Sequence, residues 1–328
     1  YHMVDSSHQT YRSCGSWHME DEEGRHISHT FSWVRMVDYD NFYAHPIEGV
    51  NAVVDIRSLE VIRVDDYGVV PVPQKQVNYE ARFQVKTRSD LLPIEIAQPK
   101  GTSFSLDGNA LKWHEVRYFN HSQFIEYVSF KFKLILCAAQ WSLRIGFNAR
   151  EGLTLHDIRY SGRPVLYRAS IAEMCVPYGS NHPAHARKNV FDIGEYGLGK
   201  LANSLEMNCD CVGDITYLSA YITDIQGNVM RRDNVICLHE EDNGILWKHC
   251  DYRTNVTEVR RARKFVISSI STVGNYEYGS YWYLHLDGMI EFEMKATGII
   301  NTIGCIPGQA GEFGVEVAPG VVGQIHQH

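Results

Sequence analysis

The chain has 328 residues and a formal net charge of −8, with 44% hydrophobic and 21% charged residues. That balance excludes a disordered chain, and 26 Gly beside only 10 Pro exclude a collagen-like or low-complexity array. No apolar run approaches the roughly eighteen residues of a membrane helix, and Arg231-Arg232 and Arg260 to Lys264 build no long basic stripe, so neither membrane nor nucleic acid is an expected partner.

At roughly 100–200 residues per domain, the length allows two domains. Most segments are short, with β-branched or aromatic residues near every second position and Gly, Asp-Gly or Pro between them. That pattern predicts a mainly β chain, a large antiparallel sandwich. Val50 to Val64 is the first clear strand region, and Leu59 to Val61 is at best a short helical piece. Val70 to Asn78 (VPVPQKQVN) is Pro-rich and polar and reads as an interdomain linker, with the boundary between it and Ile96. Asp107-Gly108 predicts a turn. Val116 to Gln140 breaks the pattern, with six aromatics and no Gly, Pro or Asp; alone it reads as an extra hairpin or a buried helix. Arg168 to Glu173 is a second weak helical piece. Gln226-Gly227 and Asp287-Gly288 predict turns, the latter joining strands at Tyr278 to Leu286 and Gly288 to Gly298.

Eight cysteines are too few for a disulfide scaffold, and the absence of a CxxC pair argues against a zinc ribbon. One or two structural disulfides stay open. Asn120-His-Ser and Asn255-Val-Thr are glycosylation sequons of little weight.

Three places could carry chemistry. His326-Gln327-His328 sets two imidazoles at i and i+2, on one side of a strand, and imidazole suits Cu, Zn, Fe or Ni. Alone, such a pair is more often two surface histidines. Asp192, in Phe-Asp-Ile-Gly-Glu-Tyr-Gly, is ordinarily a turn residue. Asn275-Tyr276-Glu277-Tyr278 is ordinarily a strand with alternating tyrosines.

Their order changes the reading. Tyr276 follows Asp192 by eighty-four residues and His326 follows Tyr276 by fifty. This arrangement resembles the copper amine oxidases. Pro46-Ile47-Glu48-Gly49, Ala97-Gln98-Pro99, Trp141 to Gly152, Val176-Pro177-Tyr178-Gly179 and Cys237 to His249 resemble that family too, so the likeness runs from about Arg25 onward. It implies oxidative deamination of primary amines to aldehydes by O2, with release of ammonia and hydrogen peroxide. Within it, Tyr276 is the precursor of a topaquinone that forms a Schiff base with the amine, Asp192 is the proton-abstracting base, and His326 and His328 bind copper(II). The physical logic agrees, because no unmodified side chain oxidises an amine and a cofactor must take the electrons. Tyr178 is expected to hydrogen-bond the quinone and Asn275 to position its ring. Val190, two residues before the base, is expected to line the substrate channel, and its small size to admit aryl-alkyl amines. Cys211 and Cys237 occupy the positions of the family's intrachain disulfide.

The same resemblance implies the end of a small α+β domain and linker over residues 1–85, and an incomplete catalytic β-sandwich over 86–328. A third copper histidine, the remaining sandwich strands and a preceding small domain are expected outside this chain, which alone should be inactive and poorly stable through exposed strand edges. The full-length protein is expected to be a homodimer. The Leu238 to Asp242 stretch resembles the microbial and peroxisomal branch, favouring a peroxisomal or cytoplasmic location over an extracellular one. Residues 116–140 stand where relatives run straight from a Trp-x-x stretch into Trp-Ser-Leu-Arg, and their Val and Gln ends match a translated intron. A transcript that keeps all of the roughly 75 nucleotides (25 codons of three) would refute that origin. The competing class is a catalytically inactive amine-oxidase-like β-sandwich serving as a binding or structural protein. An unrelated sugar-binding sandwich leaves the spacing of Asp192, Tyr276 and His326 unexplained.

Overall fold

The computed structural model describes residues 9–15, 25–88, 90–113, 140–186 and 188–328, the first stretch as backbone only. These residues form antiparallel sheets throughout. Helical structure among them is confined to two 3-10 turns, Phe42–Ala44 and Ala81–Phe83, and one π turn, Asp192–Tyr196. Neither Leu59 to Val61 nor Arg168 to Glu173 is helical. Leu59 takes a left-handed φ of 60° at a hairpin turn, and Arg168 continues a strand.

The N-terminal sheet holds β1 (Gln9–Gly15), β2 (Ile27–Arg35), β3 (Pro46–Ile47), β4 (Val50–Asp55) and β5 (Glu60–Asp66). Its order is β1-β2-β4-β5, with β3 also on β2, so the predicted Val50 to Val64 region is the β4–β5 hairpin. The described residues of 67–103 then run without a strand. Pro71 and Pro73 lack the N–H that a ladder needs, which keeps this segment out of a sheet.

The next sheet has β6 (Phe104–Asp107), β7 (Ala110–Trp113), β8 (Trp141–Asn148), β9 (Gly152–Tyr160) and β10 (Arg163–Ala169), each paired with its neighbour in sequence. Trp113 on β7 lies directly opposite Trp141 on β8. The flanks of the anomalous 116–140 segment are therefore adjacent, while that segment, apart from Gln140, lies outside the described residues.

A short pair follows, β11 (Cys175–Pro177) with β12 (Asn189–Phe191). The last large sheet is a meander of β13 (Thr216–Thr223), β14 (Val229–Asp251), β15 (Val256–Val273), β16 (Tyr276–His285) and β17 (Ile290–Gly298). Three short strands close the chain, β18 (Thr302–Gly304), β19 (Gly314–Ala318) and β20 (Val321–Gln324), in the order β18-β20-β19.

The two five-stranded sheets β6–β10 and β13–β17 pack face to face. Leu111, Trp113, Trp141 and Leu155 from one meet Leu238, Phe265, Ile267 and Leu284 from the other, all at 1% exposure or less. Each such side chain contributes roughly 1.5–3 kcal/mol on burial. Glu240 lies at the edge of this core with its carboxylate almost fully enclosed. It accepts hydrogen bonds from Ser103 N at 2.7 Å, Gln98 Nε2 at 2.8 Å, Trp113 Nε1 at 2.8 Å and Arg263 Nη1 at 3.2 Å. Beyond Leu238 on β14 and Lys264 on β15 the hairpin has no further strand partner among the described residues, and it exposes Ile245, Trp247 and Tyr252.

The two cysteines expected to form the disulfide are brought together. Cys211 and Cys237 carry no S–S bond; both are buried free thiols packed with Leu205. They lie side by side and share a hydrogen bond, which holds the Cys211 thiol below its ordinary range and pushes the Cys237 thiol up. Such a pair becomes a disulfide on removal of two electrons.

Candidate active site

Tyr276 opens β16, directly after the Gly274-Asn275 turn from β15. Across from it on β17 stands Gly298, with φ of 98°, where a Cβ would fall 2.6 Å from the Asn275 carbonyl oxygen. Only glycine fits so close to the backbone that launches Tyr276. Side chains alternate along a strand, so Tyr276 and Tyr278 share a face. That face is packed by Met174, Val176, Ile193, Leu198 and Val273, an apolar lining that keeps water away from both rings.

Tyr178 follows β11 and bridges, backbone to backbone, to His326. Its hydroxyl lies 2.7 Å from the Tyr276 hydroxyl, which lies 3.0 Å from His326 Nε2. His326 Nδ1 is 2.7 Å from the Gln324 carbonyl oxygen. A carbonyl only accepts, so Nδ1 carries the hydrogen and Nε2 presents its lone pair. Tyr276 therefore donates to His326, and Tyr178 donates to Tyr276. The Tyr178 ring also stacks on His326, with centroids 4.9 Å apart.

A second relay runs beside the first. Tyr278 donates to Asp192 Oδ2 and stands 2.8 Å from His328 Nδ1. With its one hydrogen spent on the carboxylate, Tyr278 accepts from His328 Nδ1–H. Nε2 of His328 is then left with its lone pair, as in His326.

Asp192 begins the π turn after β12, with 3% exposure. Its own N–H reaches the Met174 carbonyl at 3.0 Å. The turn is clamped by Glu173, which accepts from Met174 N and Gly194 N, each at 2.9 Å. Burial raises the Asp192 pKa, and the Glu173 charge adds to the rise; the Tyr278 hydrogen bond opposes it. Burial likewise lifts Tyr276 to about 12, against the hydrogen bonds from Tyr178 and Asn275. Tyr178 and Tyr278 are raised further, again chiefly by burial.

Asn275 donates to the Ile299 carbonyl at 2.7 Å and so braces the turn before Tyr276. Val190 lies on β12 opposite Val176, half-buried and outside the apolar cluster around Tyr276. Asp192, Tyr178, Asn275, Tyr276, His326 and His328 thus converge, and Val190 stands at the margin. Tyr278 joins the site unforeseen, although its place two residues after Tyr276 carried the signal. Lys188 also belongs there. It is 4% exposed, and burial pulls its amine down to about 7, with the Glu48 charge opposing. Nothing in the local sequence marks it.

The convergence has a counterpart in known proteins. Residues 136–328 match the copper amine oxidase enzyme domain, and residues 7–84 match the copper amine oxidase N3 domain. The chain belongs to the copper amine oxidases. It is 43% identical over 314 residues to the primary amine oxidase of Arthrobacter sp. (strain P1), covering 94% of this chain and 45% of that protein. Histamine oxidase of Arthrobacter globiformis is 45% identical over 321 residues, covering 96% of this chain and 43% of that one. The crystal structure of a copper-containing benzylamine oxidase from Hansenula polymorpha superposes with a TM-score of 0.81 at 29% identity, covering 98% of this chain and 49% of that chain. The chain therefore spans less than half the length of these curated relatives. Among others, a diamine oxidase of Nicotiana tabacum and a primary amine oxidase of Pichia angusta carry the word peroxisomal in their names.

For a copper amine oxidase the residues present fit copper in part. Two imidazoles, ring centroids 5.0 Å apart, have both Nδ1 atoms engaged, which leaves the His328 Nε2 lone pair open and that of His326 accepting from the Tyr276 hydroxyl. No cluster of three His, Cys, Asp or Glu side chains suited to a metal occurs among the described residues. For the quinone, the fit rests on Tyr276 itself, which is enclosed by apolar side chains and in contact with the His326 nitrogen.

Proposed function

We propose that this protein oxidises primary amines to aldehydes, consuming one O2 and one water and releasing ammonia and hydrogen peroxide for each turnover. The observation that carries the reading is the hydrogen-bonded line Tyr178–Tyr276–His326, 2.7 Å and then 3.0 Å, which joins the tyrosine of the Asn-Tyr-Glu-Tyr motif to the first histidine of the His-x-His. His326 and His328 would hold copper, and Tyr276 would be the side chain converted to topaquinone. When present, these two groups supply the electron sink and the route to oxygen that ordinary side chains lack.

The chain's own residues then have distinct tasks. Asp192 takes the α-proton of the bound amine at a carboxylate oxygen. Its raised pKa suits it to that work, because a stronger base accepts the proton more readily. Tyr278 holds this carboxylate in one orientation. Tyr178 and Asn275 fix the ring and the turn at position 276. The cluster of Met174, Val176, Ile193 and Leu198 excludes water from the reacting face. Val190 borders the amine's approach, and its small side chain accommodates aryl-alkyl amines.

The partners in this reading are the amine, O2 and a second copy of the same chain, with neither nucleic acid nor membrane involved. The unpartnered end of the β14–β15 hairpin, with Trp247 and Tyr252 exposed, supports the homodimer, since an isolated two-stranded ribbon is marginal alone. A small N-terminal domain over residues 1–85 and a catalytic sandwich over 86–328 remain our division of the chain. The word peroxisomal in the names of relatives supports the peroxisomal side of a peroxisomal or cytoplasmic location. The test is to express the protein from its complete transcript, add copper and follow visible quinone absorbance together with peroxide release from benzylamine. Absence of both signals in copper-replete protein rejects the assignment.

A further inference from the structure

Lys188 presents a problem that the proposed chemistry leaves unsolved. It sits just before β12, almost fully buried, and no carboxylate lies within ion-pair distance of it among the described residues. The nearby Glu48 is engaged with His185 at 2.9 Å. An ammonium in such a place is costly unless something replaces its water.

What surrounds its Nζ is aromatic. It lies 4.1 Å from the centroid of Phe31 and 4.2 Å from the centroid of Tyr178, both well inside the range of a cation–π contact. Nζ also donates to Gln324 Oε1 at 3.2 Å, and the Lys188 carbonyl accepts from Tyr178 N at 3.0 Å. Phe31 is backed by the His185 ring, stacked at 5.1 Å. Gln324 is fixed by Asn301 Nδ2 at 3.1 Å, and its own carbonyl orients His326. One buried amine thus touches the ring of Tyr178 and the residue that sets the tautomer of His326.

We propose that Lys188 is a positioning residue, whose ammonium, held between Phe31 and Tyr178, sets the tilt of Tyr178 and so the placement of the hydroxyl that reaches Tyr276. The inference rests on the amine-oxidase reading of the site and deepens it. It differs from a generic packing role because it requires positive charge at position 188, and because it acts only through Tyr178.

The experiment uses copper-loaded protein from the complete transcript, with variants K188M, K188R, Y178F and the double variant K188M/Y178F. K188M is expected to lower kcat for benzylamine about tenfold with KM within about twofold, since a desolvated cation–π contact of this kind is lost. Copper content and melting temperature should match the parent. K188R, which keeps the charge, should recover kcat to within about threefold of the parent. In the Y178F background, K188M should add no further loss. A crystal structure of copper-free K188M should show the hydroxyls of Tyr178 and Tyr276 beyond hydrogen-bond distance. Parent-like kcat in K188M, an equal loss with and without Tyr178, or an unmoved Tyr178 in the crystals each overturns the proposal. If K188M does not fold, Phe31→Leu removes one ring face and should give a smaller loss of kcat alone, and an unchanged kcat there overturns it equally. If the parent protein releases no peroxide, the functional reading fails, while the copper-free crystal structure still decides the positioning role.

Discussion

The Tyr278 hydroxyl donates its only hydrogen to Asp192, eighty-six residues earlier in the chain. That bond favours the charged carboxylate and holds down a pKa that burial pushes up. Tyr278→Phe removes it, so the Asp192 pKa should rise further. A base works only when deprotonated, so the acid limb of kcat/KM should move to higher pH. The loss should be larger at pH 6 than at pH 9. A pH profile of benzylamine oxidation with an unmoved acid limb would count against this coupling.

Asp192→Asn should lower kcat by roughly 10²–10⁴-fold, the usual contribution of a positioned general base. Copper content should be unchanged. Stability should respond with the opposite sign. A carboxyl whose pKa is raised in the folded state penalises folding once pH exceeds its unfolded value. The Asn variant should therefore melt no lower than the parent at pH 8, which calorimetry can check.

His326→Ala and His328→Ala should each weaken copper binding by more than the roughly 10–100-fold that follows loss of an outer-sphere partner. Quinone absorbance should fail to develop in either variant after copper is added to metal-free protein. Isothermal titration with copper reads the first effect, and visible spectroscopy the second. Retained parent-like affinity in both would remove the His-x-His from the metal site.

Glu240→Gln should destabilise the fold by about 3 kcal/mol, because four donors converge on a carboxylate that Gln cannot replace. Burial raises the Glu240 pKa, but its hydrogen bonds from Ser103, Gln98 and Trp113 and the Arg263 charge outweigh it, leaving the group below its ordinary 4.5. Stability from this group is then full above pH 4.5 and lost as pH falls through the depressed value. Acid unfolding of the variant should show a shallower pH dependence than the parent.

Val190→Phe should cut kcat/KM for benzylamine about tenfold while changing methylamine less than twofold, since added bulk beside the base excludes a ring before it excludes a methyl group. A strong preference of the parent for methylamine in steady-state rates would refute the wide-channel reading.

Much of this architecture was legible in the residues. Alternation and Asp-Gly turns marked the β16–β17 hairpin, because a strand that buries one face must alternate. The motif order marked Asp192, Tyr276 and His326, which meet only after strands distant in sequence fold together. Lys188 was hidden because its significance lies in Phe31 and Tyr178, neither of which is a local neighbour. The redox state of Cys211 and Cys237 is not written in the residues for another reason: proximity is set by the fold, whereas oxidation is set by available electron acceptors.

Phe31 lies within the N3-domain match, and the amine it covers lies within the enzyme-domain match. Two further links cross the same divide, Glu48 to His185 at 2.9 Å and Trp33 Nε1 to Thr302 Oγ1 at 3.1 Å. The half that matches the enzyme domain is consequently not portable. Grafted onto a foreign N-terminal domain, it would leave Lys188 facing solvent on one side and the tyrosine beside it free to tilt, so exchange of modules between relatives should succeed only when both halves move together.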